Sequence, residues 1–133
     1  MINRKKKILE LLIRKKMYSV MNDTKWKELQ QAMRNEMPFT PPYQIKLLRE
    51  DCLESSFYED VWYLGDWSDE ALCWGEYREI EWLKIRPRYL KHQGRLLQAA
   101  VVDVTKEFIE ILENYSIPFE EEDGAYIIYG YKK

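Results

Sequence analysis

The sequence predicts an α+β fold: an antiparallel β-meander of four to five strands, two main helices on one face, and an extra basic helix at the N-terminus. Apolar residues recur at helical spacing in two separated stretches, and the segments between them alternate apolar and polar residues across short, turn-rich connections. The size fits one globular domain: 133 residues, 16.2 kDa, 46% hydrophobic, with a mean hydropathy of -0.58. With 5 Trp and 10 Tyr, the chain carries too many rings for a solvated, disordered polymer.

Residues 1–20 carry seven bases against one acid, a charge of +6, whereas residues 21–133 carry 14 bases against 22 acids. The division expected is a basic, helical arm over 1–20 and a single α+β domain over 21–133. Helix two is expected from Thr24 to Glu36, capped by Asn22 or Asp23, with Trp26, Leu29, Met33 and Met37 as its core stripe. Pro38, Pro41 and Pro42 end it, since proline has no amide hydrogen to donate.

Strands are expected over Tyr43–Arg49, Glu59–Leu64, Ala71–Glu76 and Arg78–Ile85, the last with Ile80 and Trp82 on one face and Glu79 and Glu81 on the other. Pro87–Arg95 reads as a basic, irregular connector. A second long helix follows over Leu97–Tyr115, with the β-branched pair Val101-Val102 pointing to a start nearer Asp103. Glu120–Asp123 reads as an acidic loop, and Ala125–Tyr131 as a terminal strand.

The stretches Thr24-Lys25-Trp26-Lys27-Glu28-Leu29, Tyr77–Ile85 and Ile128-Tyr129-Gly130-Tyr131 resemble a bacterial family of short uncharacterised proteins. Its members open with a T-K-W-x-E-L helix and close in I-Y-G-Y. The resemblance spans about Met21 to Lys133, leaves the arm outside, and implies a bacterial, cytoplasmic, single-domain protein with no residue role to carry over.

Catalytic chemistry finds little footing. His92 is the one histidine and has no nucleophile elbow near it, the five glycines are scattered, and Cys52, Cys73 and His92 lack zinc-ligand spacing. The expectation is therefore no metal and no cofactor, and two reduced thiols. Glu79 and Glu81, about 6.6 Å apart along a strand, and Asp66 with Asp69 beside Trp67, are the pairs a small carbohydrate-active hydrolase would use.

A different signal is stronger. Residues 51–81 hold ten acids, one base and seven aromatics, and alternation cannot bury every ring on one face. Aromatic anchors within a charged rim are the composition of protein interfaces. The expected function is a non-catalytic cytoplasmic binding domain, of immunity- or antitoxin-like character. Its surface is built from Asp60, Trp62, Asp66, Trp67, Asp69, Trp74, Glu79 and Glu81. The expected partner is another protein, basic in charge, with self-association compatible; nucleic acid on the acidic body and a membrane are not expected.

Overall fold

The structure, a computed structural model, describes residues 4–50, 57 and 59–133. In chain order it contains α1 (Arg4–Lys15), β1 (Tyr18–Ser19), α2 (Asp23–Asn35), β2 (Tyr43–Leu47), β3 (Ile80–Ile85), β4 (Arg88–Lys91), β5 (Ala100–Asp103), α3 (Thr105–Asn114), β6 (Glu120–Glu122), β7 (Ala125–Tyr129) and β8 (Tyr131–Lys132). The class is α+β, with every strand pair antiparallel.

A four-stranded sheet in the order β2-β3-β7-β6 forms the centre. One face is apolar: Leu47, Ile80, Leu83, Ile85, Tyr126 and Ile128 pack with Trp26, Leu29, Ala32 and Met33 of α2 and Phe108, Ile111 and Leu112 of α3. Each Leu, Ile, Met or Phe side chain among them taken from water contributes about 1.5–3 kcal/mol. Asn22 caps α2, its Oδ1 accepting from the Lys25 amide at 2.8 Å. At α3 the N-cap, Val104, makes no side-chain cap bond, and Asp103 before it accepts through Oδ1 from the Thr105 amide and hydroxyl at 2.9 and 2.6 Å.

The strands arise differently from the meander expected. Glu59–Leu64 and Ala71–Glu76 are not strands; they belong to a loop, and β3 pairs with β2 and β7. In β3 the register slips opposite Lys46 and Leu47, leaving Glu81 as a bulge residue. The bulge turns Ile80 onto the core side with Leu83 and Ile85, and parts it from Trp82, with which simple alternation groups it. Glu79 precedes β3 in a short 3-10 turn, Tyr77–Glu79, and is not a strand residue.

The connector after Pro87 is a hairpin, β4 with β5. Val101 and Val102 thus lie in a strand, and helix three begins at Thr105. Glu120–Glu122, expected as loop, is an edge strand closed onto β7 through Asp123 and Gly124, both at positive φ (51° and 80°). That is the backbone a two-residue Asp-Gly hairpin turn requires. Its exposed glutamates place charge along the open edge, which opposes pairing with another chain.

The basic arm is tied into the body. Ile8 packs with Leu48 and Tyr131, β1 pairs with β8, and the Val20 amide donates to the Gly130 carbonyl at 2.9 Å. Gly130 is required there: a Cβ would stand 2.2 Å from the Ile80 carbonyl oxygen.

Candidate protein-binding surface

Of the residues singled out from sequence, Asp60, Trp62, Asp66, Trp67, Asp69, Trp74 and Glu79 lie on the loop 59–79 and Glu81 in β3, and the structure gives them different parts. Asp60 is structural. Its Oδ1 accepts from Arg86 Nη2 at 3.0 Å and Arg88 Nε at 2.7 Å, and its Oδ2 from Arg88 Nη2 at 2.8 Å. Partial burial works to raise its pKa, but the bonds and charges of Arg88 and Arg86 outweigh it and hold the carboxyl below its ordinary value. Arg86 is itself buried, and its Nη1 donates to the Asp123 carbonyl at 2.9 Å.

Trp67 is structural as well. It is 2% exposed, its Nε1 donates to the Pro41 carbonyl at 2.9 Å, and its ring packs at 4.7 Å from that of Tyr43. Six hydrogen bonds fix the chain around it. The Gly65 amide donates to the Thr40 carbonyl at 3.0 Å, where a Cβ would meet the Pro41 oxygen at 2.1 Å. The Tyr43 hydroxyl donates to the Asp66 carbonyl; burial first, then the Asp66 charge, push its pKa up to about 12, so this donor keeps its proton through the physiological range. Gln30, buried on α2, donates through Nε2 to the Trp67 carbonyl and to Asp69 Oδ1, both at 2.9 Å, and accepts from the Tyr77 hydroxyl. Asp66 turns its Oδ1 back to the Ser68 amide at 3.0 Å, and these Ser68 bonds lower its pKa.

Gln30 escaped the sequence reading. It stands four residues after Trp26 on the apolar side of α2, and a polar residue in such a stripe is the signal that could have found it.

From this anchored base the chain rises into an unusual backbone. Cys73, Trp74 and Gly75 lie at φ 58°, 54° and 83° in succession. Only glycine enters that region freely; for other residues it costs about 1–2 kcal/mol each. Trp74, within this run, is 72% exposed, with exposed Asp66, Asp69 and Glu70 on the same loop. Trp62 is also exposed (54%), and its ring stacks on His92 at 4.5 Å.

Glu79 and Glu81 diverge. Glu81 Oε1 pairs with Lys46 Nζ at 3.0 Å and stands 3.9 Å from Lys15 Nζ, so it fastens α1 to the sheet. Glu79 lines a groove of about 630 Å³ under α1, together with Lys7, Glu10, Arg14 and Arg49. Acid–base hydrolysis needs one carboxyl raised in pKa. Among the described residues, the carboxyls displaced from their ordinary values, Asp60, Asp66 and Asp103, are all lowered. No group of three or more His, Cys, Asp or Glu placed to hold a metal occurs among the described residues. Cys52, and Asp51, Glu54 and Tyr58 of the acidic aromatic stretch, lie outside them.

No curated protein and no solved structure matches the chain. A family model does, over residues 8–133, and so takes in much of the basic arm that the motif resemblance left outside. The chain belongs to this family, described as a family of unknown function (DUF6678).

Proposed function

We propose that this protein is a non-catalytic, cytoplasmic binding domain whose loop surface around Trp74, Asp66, Asp69 and Glu70 holds another protein of basic charge. The observation that carries the reading is the Trp74 ring, held in solvent on a strained left-handed backbone over an otherwise immobilised base. Strain kept at an exposed aromatic is a mark of function, because packing gains nothing from it. A large, rigid ring anchors interfaces, and the carboxylates around it speed encounter with a cationic surface. In a bacterial cell this chemistry suits an immunity- or antitoxin-like factor covering the basic cleft of its target.

The test is affinity capture from the source cell with wild type and with Glu70→Lys/Trp74→Ala. Both residues are exposed, so the variant is expected to melt like wild type. Retention of a basic protein by wild type and its loss from the variant supports the proposal. Equal retention by both would overturn it.

A further inference from the structure

Residues 88–103 carry a second surface that the proposal above leaves unused. β4 and β5 pair with one another, apart from the central sheet, and the chain between them, residues 92–99, projects into solvent. The root of the hairpin is fixed: the Leu90 amide donates to the Val61 carbonyl at 2.8 Å, and the Trp62 ring stacks on His92. The tip is bare. Leu96 is 96% exposed and Leu97 64%. Exposed Lys91 and Arg95 precede them, and residues 88–98 contain no acid.

This is the chemical inverse of residues 66–76, which contain four acids and no base around the exposed indole of Trp74. Within one chain the two surfaces do not cover each other, since Leu96 and Trp74 both remain in solvent. We infer that they are the halves of one contact, and that the occupant is a second copy of this chain. The Leu96-Leu97 tip of one copy packs on Trp74 of the other, with Lys91 and Arg95 facing Glu70 and its neighbouring carboxylates. Arranged about a two-fold axis, each copy gives one tip and receives one, and this closed dimer is the assembly inferred. The inference rests on the reading that the loop around Trp74 binds a basic surface, and it takes that surface to be the acid-free tip of a second copy, a chain of net charge -2, in place of a separate basic protein.

Sedimentation velocity on the full chain over a range of protein and salt concentrations tests it. Wild type is expected to show a monomer–dimer equilibrium that weakens with salt, as screening of complementary charge demands. Leu96→Asp/Leu97→Asp and Glu70→Lys/Trp74→Ala, each with wild-type circular dichroism, are expected to raise the dimer Kd roughly tenfold or more. Their equimolar mixture should recover association, because an intact tip then meets an intact loop. A wild type that is monomeric throughout, a loop variant that dimerises normally, or a mixture that recovers nothing would overturn the inference. If wild type stays monomeric yet captures a basic protein through Trp74, self-association falls and the binding reading stands. If replacing Trp74 alters neither assay, both fall.

Discussion

Two tryptophans on one loop, Trp67 and Trp74, meet opposite fates. Trp67 buries its ring and satisfies its indole N–H on Pro41. Trp74 sits a few residues on with its ring in water and its backbone in a region that suits glycine. The same residue type serves as a nail in one place and as an exposed contact in the other. What separates them is local: Gly65 lets the chain approach Pro41 closely, Gln30 holds the Trp67 carbonyl, and the left-handed run at 73–75 turns the next ring outward.

The comparison breaks most visibly at Trp67. Trp67→Ala is expected to cost about 3–5 kcal/mol in chemical denaturation, as large-to-small changes in a packed core do. A loss near zero would mean that the ring is no anchor. Asp60→Ala comes next, at about 3 kcal/mol, because it strands the buried Arg86 charge. The pH dependence has a defined sign. Since the folded Asp60 pKa is lowered, its stabilisation is present above the ordinary aspartate value, about 4, and drains away as pH falls through the folded value. Asp60→Asn should flatten the stability profile across that acid limb, and an unchanged profile would refute the assignment. Gly65→Ala should cost about 1–3 kcal/mol by forcing Pro41 away. Leu96→Asp/Leu97→Asp should change stability by less than about 0.5 kcal/mol, as exposed positions do.

Helix α2, with its Asn22 cap and Trp26-Leu29-Met33 stripe, was legible in the sequence because its signals are local and periodic. So were the class and, from Ile80 onward, the strand expected over Arg78–Ile85, whose first two residues belong to a 3-10 turn. The loop 59–79 was not. Its aromatic, β-branched stretch at Val61–Leu64 has strand composition, yet its position is set by long-range anchors, Asp60 on Arg86 and Gly65 on Pro41, that no window of sequence contains. The Asp123-Gly124 pair carries a hairpin-turn signal, but the glutamates before it give the stretch the composition of an acidic loop. Of the candidate surface, Trp74 and Asp66 stand exposed, while Trp67, Asp60 and Glu81 carry internal contacts. Composition reveals that some rings must be outside, but only packing decides which.

The claim that Trp74 is displayed at an energetic cost is open to direct test by equilibrium denaturation of Trp74→Gly. Glycine relieves the left-handed strain and removes a ring that packs on little, so the variant should match wild type or exceed it by up to about 1 kcal/mol. A loss of more than about 1 kcal/mol would instead make the indole part of the scaffold, and the binding account would lose its foundation.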